Sequence, residues 1–313
     1  MLRFIGRRLL WMIPVILGIS FILFAILEMM PGNPAQIILG DRADPAAVAA
    51  LEEEMGLNDP FLTRYFRYVS DALHGDFGLS YRTRVPVFDE ILARLPVTLI
   101  LAIGGILLTV IIGIPIGILS AVKQYSLLDN VSMLLALIFN SMPGFWLGMI
   151  LMLTFALGLG ILPATGNVDG IRSYILPWIA VSTGMLAALI RMTRSSMLEV
   201  IRQDYINVAR AKGANDKRVI WRHALRNALL PIVTIIGMDF ASLLGGTLIT
   251  EQLFALPGLG TLIINSVRSK DIPLVMASIL FISLTSGIIN LIVDVLYMYI
   301  DPRLKSQFVK GSR

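Results

Sequence analysis

Cysteine is absent from the 313 residues, which removes disulfides and thiolate metal sites from consideration. Histidine is nearly absent too, His74 and His223 being the only two. There is no HExxH, no GxSxG and no glycine–lysine phosphate loop. The chain therefore lacks the usual devices of metal-assisted hydrolysis, serine acyl transfer and nucleotide binding, and an enzyme is not expected. Charged residues make up only 15% of the sequence, against about 25% in soluble domains. No low-complexity tract appears, nor an internal repeat long enough for an inverted-repeat transporter. What is plentiful is apolar: 56% of residues are hydrophobic and the mean hydropathy is +0.79. The composition is that of an all-α polytopic membrane protein. The net charge of +5 does not point to nucleic acid, because the basic residues gather in particular loops and no nucleic-acid-binding motif accompanies them.

Six apolar runs are long enough to span a bilayer. The first, Leu9 to Met30, follows Arg3, Arg7 and Arg8 and ends in Glu28, Met29, Met30 and Pro31 rather than at a small-residue cleavage site, so it reads as an uncleaved span. Residues 31–95 form the one sizeable polar block. Within it Asp44-Pro45 and Asp59-Pro60 each open a helix, closed near Gly56 and Gly75, on the pattern of aspartate at the N-cap, proline at N1 and glycine at C′. Phe61, Tyr65, Tyr68, Val69 and Leu73 make an apolar stripe on the second helix, suited to packing on the span tops or to docking an external partner. The second span is Pro96 to Val122, with Gly113 and Gly117 spaced for close helix contact. The third, Val131 to Leu159, is expected to be one kinked span despite Pro143-Gly144. Ile175 to Ile190 forms the fourth, extending inward through Arg191 and Arg194; Pro231 to Thr250 and Pro273 to Ile300 are the fifth and sixth. Ala180, Gly184 and Ala188 on the fourth, and Gly237, Ala241 and Gly245 on the fifth, form lanes of small residues. Asp301-Pro302-Arg303 opens a basic tail. The expected divisions are thus 1–30, 31–95 and a core of 96–313 that carries an inner loop at 191–230. With six spans and both termini inside, 17 of the 26 Lys and Arg fall on inner segments and nine on outer ones, as the positive-inside rule requires.

The inner loop 191–230 organises the rest. It holds nine Lys/Arg and three acids, and a basic residue at mid-bilayer costs roughly 2.5–3.5 kcal/mol, so it cannot span. It is nevertheless built for helix. Asp204 suits an N-cap, Tyr205 to Lys212 favour helix, Arg210 and Lys212 suit the negative end of the dipole, and Gly213 stands at C′. Asn215 offers a second N-cap, followed by a helical stretch through Val219, Ile220, Ala224 and Leu225 towards Pro231. Two capped helices in a polar loop between spans imply a partner to pack against. Within the spans, ionisable groups are few: Asp239, Asp294 and, at the outer end of the first span, Glu28. Asn140, Ser141 and Asp239 are the polar residues placed to line a translocation path. Two functions remain in view: the membrane subunit of a motor-driven importer, or an ion-coupled secondary transporter or channel working alone and dependent on Asp239.

At the inner loop the sequence reaches a known pattern. AlaArgAlaLysGlyAla (209–214) and HisAlaLeuArgAsnAlaLeuLeuPro (223–231) resemble the loop signature of permease subunits of ATP-binding-cassette importers, and more narrowly the oligopeptide/dipeptide/nickel permease family. The similarity continues in ProGlyAsnPro (31–34), GlyAspPheGlyLeuSer (75–80), ArgLeuPro (94–96), LeuProAlaThrGly (162–166), LeuProGlyLeuGly (256–260) and AspProArg (301–303). The resemblance implies a type I importer fold of six transmembrane helices with a small helical extracytoplasmic insertion, in a bacterial or archaeal cell membrane. It implies that Tyr205, Asn207, Val208, Ala209, Arg210, Ala211, Lys212, Gly213 and Ala214 form a coupling helix and its stop, seated on a separate ATPase. The general motif begins Glu-Ala-Ala; here Asn207, Val208 and Ala209 occupy those positions. The partners implied are a second related permease forming a heterodimer, two ATPase subunits, an extracytoplasmic solute-binding protein and a peptide solute. ATP and magnesium would be held by the ATPases and no cofactor or metal by this chain.

Overall fold

The computed structural model describes residues 2–30, 32–40 and 42–300. Pro31 of the ProGlyAsnPro motif, the AspProArg motif and the basic tail lie outside the described residues. In chain order the helices are α1 (Leu2–Glu28), α2 (Pro34–Leu39), α3 (Pro45–Glu54), α4 (Phe61–Leu73), α5 (Val87–Val122), α6 (Leu127–Ser141) and α7 (Gly144–Leu151), the last continuing as a π-helix over Met152–Gly158. After a 3-10 turn at Gly170–Tyr174 come α8 (Ile175–Ile201), α9 (Asp204–Ala211), α10 (Asp216–Arg218), a π-helical turn at Val219–Ala224, α11 (Leu225–Gly246), α12 (Leu248–Leu253), α13 (Leu259–Arg268) and α14 (Ile272–Ile300). No strand occurs among the described residues. Five helical stretches are long and apolar enough to cross a membrane: Ile5–Glu28, Val87–Val122, Gly170–Ile201, Asp216–Gly246 and Ile272–Leu296.

One unit comprises Met1–Thr98 and Pro257–Thr285. Its two small cores join Val87 and Ile91 of α5 to Leu259, Leu262, Leu274 and Ala277, and Leu27 of α1 to Val275 and Met276. The stripe on α4 is largely spent on packing. Phe61 and Tyr65 meet Phe21 and Phe24 edge-on, and the Tyr65 hydroxyl donates to the Leu17 carbonyl at 3.1 Å. Leu73, at the end of the stripe, is exposed. Asp44 caps α3 as expected, its side chain accepting from the Ala46 N–H. Asp59 does not cap α4: Pro60 takes the N-cap position and Asp59 pairs instead with Arg67. A short helix at Pro34–Leu39, capped by Asn33, was not foreseen. Asp271, almost fully buried, fixes the 78–86 loop by accepting from the Ser80 hydroxyl and from the backbone N–H of Tyr81 and Arg82. Burial and that carboxylate push the Tyr81 phenol up to about 12, so it remains neutral.

The other unit comprises Leu99–Leu256 and Ser286–Arg313. Glycines let its helices approach. The Trp178 indole occupies the space a Cβ on Gly104 would need, Val293 does the same at Gly237, and a Cβ on Gly117 would stand 2.9 Å from the Ile190 carbonyl oxygen. Pro96 does not begin a span, since α5 already starts at Val87. Pro231 is likewise inside a helix rather than at its start; neighbouring helices compensate for such interruptions in membrane proteins. Pro143 does break its helix. The residue before a proline avoids the helical region, and Met142 (φ −89°, ψ 126°) and Pro143 (φ −61°, ψ 131°) are both extended. The two halves meet at 98°, far more than the kink expected. Together the pair is long and apolar enough to count as one broken span. Asp129 at its start bonds Arg194 of α8, whereas Ile161, just past its end, accepts from Arg172 at the opposite end of that span. The separation of 22 positions between the two arginines covers about 33 Å at helical rise, the thickness of a hydrocarbon core. Counted so, the described residues hold six candidate crossings, five by single helices and one by a broken pair.

Candidate functional site

The loop helix foreseen between the fourth and fifth spans forms as α9, with its ends set by local chemistry. The fourth span runs on to Ile201, and Arg202 is still helical in backbone. Gln203 (φ −78°, ψ 146°) is then the single extended residue between two helices, so Gln203 is the N-cap. Asp204, expected there, is the first helical residue instead, where its charge still complements the positive end of the dipole. At the other end Lys212 is the C-cap and Gly213 takes φ +83°. The Gly213 N–H donates to the Arg210 carbonyl at 2.9 Å and the Ala214 N–H to the Ala209 carbonyl at 3.2 Å. That pair of bonds is a Schellman stop, and the left-handed residue it needs is glycine's normal role. Asn215 then caps the next helix, its side chain accepting from the Arg218 N–H at 2.8 Å. The stretch after it is not a separate loop helix. It is the inner end of the fifth span, continuous from Asp216 to Gly246 through a π-helical turn at Val219–Ala224.

α9 is seated by one face. Ile206 is fully buried, in a cluster with Ile118 and Ala121 of α5, Leu189 and Met197 of α8, and Val219, Ala224, Ala228 and Ile232 of the fifth span, against which Ala209 and Ala214 also pack. The Tyr205 hydroxyl is hydrogen-bonded to the Asn227 side chain; burial nevertheless holds its pKa above the usual phenol value. The opposite face is open: Tyr205 is 42% and Val208 52% exposed, and Asn207, Arg210, Ala211, Lys212 and Gly213 are exposed beside them. Arg210 and Asp216 approach to 3.5 Å across the stop, a surface pair of small energetic weight. α9 is thus a two-turn rod rooted in three spans and presenting a mixed polar and apolar face.

The three residues placed on a translocation path lie on two helices, α6 and α11. Asn140 and Ser141 sit together at the break in the third span, where Asn140 accepts from Arg191 at 3.2 Å and Ser141 donates to the Leu137 carbonyl at 2.9 Å. Asp239 is on α11, and its Oδ2 is buried without a hydrogen-bond partner among the described residues. Asp129 went unrecognised. It is 1% exposed and accepts from Arg194 Nε at 2.6 Å and Nη2 at 2.8 Å. The available signal was Arg194 itself, an arginine continuing an apolar helix and in need of a carboxylate.

Among solved structures the bundle is similar to the inward-facing MetNI methionine ABC transporter, with a TM-score of 0.57 at 18% identity, covering 68% of this chain and 96% of that one. At that identity the likeness speaks for fold alone. The fold so defined is that of an ABC importer's membrane-spanning bundle. The model for binding-protein-dependent transport system inner membrane components matches residues 113–306, and that for the N-terminal part of such components matches 1–102. The chain belongs to this family, and is an integral inner-membrane protein. Among curated relatives, the dipeptide transport system permease DppB of Alkalihalophilus pseudofirmus is 42% identical, over 97% of this chain and all of that one. The glutathione transport system permease GsiC of Escherichia coli K12 is 41% identical, over 97% and 99%, and DppB of the same strain 39%, over the same shares. Family membership favours the importer over the self-sufficient secondary transporter considered from sequence. Permeases of this kind work with ATPase and solute-binding partners.

Proposed function

We propose that the chain passes peptides across the membrane as one half of a heterodimeric pair with a second related permease. In this reading α9 and its Gly213–Ala214 stop sit on one of two separate ATPase subunits. ATP and magnesium are held there, and no cofactor or metal is held here. An extracytoplasmic binding protein delivers the solute. Peptide is favoured because the solutes for which the relatives are named, dipeptide and glutathione, share the peptide bond. Both termini are cytoplasmic: six crossings return the chain to its starting side, and the excess of Lys and Arg marks that side as inner. ATP binding draws the paired coupling helices together and opens the cavity outward; hydrolysis restores the inward-facing state. Asn140, Ser141 and Asp239 belong to the path in this reading.

The observation that carries the proposal is the seating of α9. Ile206 roots it in three spans, its C-terminus is stopped within one residue, and Tyr205, Asn207 and Val208 are left open. A loop that merely joined two spans would need neither the anchor nor the stop. The test is Gly213, where an added Cβ meets nothing within 4 Å, so substitution acts through backbone conformation alone. A left-handed β-branched residue costs about 1–2 kcal/mol, or roughly tenfold in the population of the stopped geometry. Uptake and stimulated ATPase in assembled complex are expected to fall about tenfold in Gly213→Val and to survive largely in Gly213→Asn, since asparagine tolerates that conformation. Unaltered transport by an assembled Gly213→Val complex would remove the coupling role.

A further inference from the structure

The turn between the second and third spans is built more heavily than a connection requires. Tyr125 is not glycine, yet it stands at φ +64°, a left-handed conformation unfavourable to a bulky residue. Asp129 holds it there. Its Oδ2 accepts from the Tyr125 N–H at 2.9 Å, while the two carboxylate oxygens take the Arg194 fork at 2.6 and 2.8 Å. Ser126 caps α6 by accepting from the Asp129 N–H. Gln124, just before, accepts from Arg202 at 3.2 Å, two residues ahead of α9. A buried ion pair gives little net stability, because desolvation offsets its attraction; its best-attested use is to fix the register between two elements. The elements here are the first turn of α6 and the last turns of α8, from which α9 hangs.

The far end of α6 is held more lightly, by Asn140 accepting from Arg191 of α8 at 3.2 Å. The helix stops at Ser141, two extended residues follow, and α7 leaves at 98°. Pro143 has no N–H to carry a helical bond across the joint. α6 is therefore a rod clamped at its inner end and hinged at its outer end.

We infer that Asp129 is a positioning residue of the transport cycle: clamped to Arg194, it makes α6 travel with the coupling helix, so that displacement of α9 reaches the joint at Met142–Pro143. Asp129 touches neither solute nor nucleotide and acts through Arg194. The inference rests on the coupling role proposed for α9.

The absence of native cysteine makes single thiols clean reporters. Ser141→Cys places one at the joint and Ala211→Cys one on the open face of α9, each in the complex assembled with its ATPase subunits. With Asp129 intact, ATP is expected to change the maleimide labelling rate of the S141C thiol by about threefold or more, the usual scale of coupling between sites. In D129N that ATP response is expected to vanish although the subunits still co-purify and the A211C thiol stays shielded by the ATPase. D129E, which keeps the carboxylate, restores most of the response. A full ATP response in D129N overturns the inference, as does an S141C thiol indifferent to ATP with Asp129 intact. A D129N chain that no longer assembles assigns the pair to folding alone and overturns it too. Failure of the underlying coupling role reads differently: the A211C thiol would label equally fast with and without ATPase subunits.

Discussion

At the scale of single residues, glycine does two different jobs in this chain. At Gly213 the requirement is conformational, a positive φ in open space. At Gly117 it is steric, because a Cβ would press on the Ile190 carbonyl and the Thr193 side chain. Gly184 meets neither requirement, as nothing lies within 4 Å of its absent Cβ. Spacing alone makes the two look alike, Gly117 paired with Gly113 for close helix contact and Gly184 in a lane of small residues; only the positions of the neighbouring helices separate them. Overpacking against backbone, which cannot move aside as a side chain can, costs about 1–3 kcal/mol. Gly117→Ala is expected to lower the melting temperature of the purified chain in detergent, and Gly184→Ala to leave it within error. Equal effects of the two substitutions would show that the approach at Gly117 is not tight.

At the scale of elements, the deepest anchor of α9 is Ile206, fully buried beneath it. Truncating a buried isoleucine to alanine costs about 2–5 kcal/mol, and here the loss falls on a two-turn helix with little stability of its own. Ile206→Ala is expected to raise amide exchange across 204–214 while the spans stay protected. Unchanged exchange there would mean that the turn bonds, rather than the anchor, hold the helix. Helix ends were legible in sequence where the determinant is a neighbour along the chain: Asp44, Asn215 and Gly213 do what their residue types suggest. They were misread where the determinant lies elsewhere. Asp204 lost the cap to Gln203 because α8 runs further inward than its apolar part. Pro96 and Pro231 look like span starts in sequence, although both stand inside helices that surrounding helices help to tolerate. The two sides of the Asp129–Arg194 bridge are separated by 65 residues, beyond the reach of local pattern. The break at Pro143 was visible, but its 98° size follows from two consecutive extended residues that only coordinates reveal.

At the scale of the whole molecule, composition was the more reliable guide. Low charge, six apolar runs and a basic inner loop led to a polytopic membrane protein, the motifs at 209–214 and 223–231 resembled an importer permease, and the helical bundle and family match agree. What composition could not supply is how the third crossing is made, or which acids are paired inside. The chain holds no motor of its own in this account; its contribution is a path and a rod that another subunit moves. The most direct test is a photo-crosslinking residue in place of Val208, on the open face of α9, within the fully assembled transporter. Val168, 90% exposed in the loop after the third crossing, serves as the control position. An adduct between position 208 and an ATPase subunit, with none from position 168, is the expected result. Adducts from 168 but not 208, or an assembled complex in which 208 reaches no ATPase, would contradict the coupling role of α9.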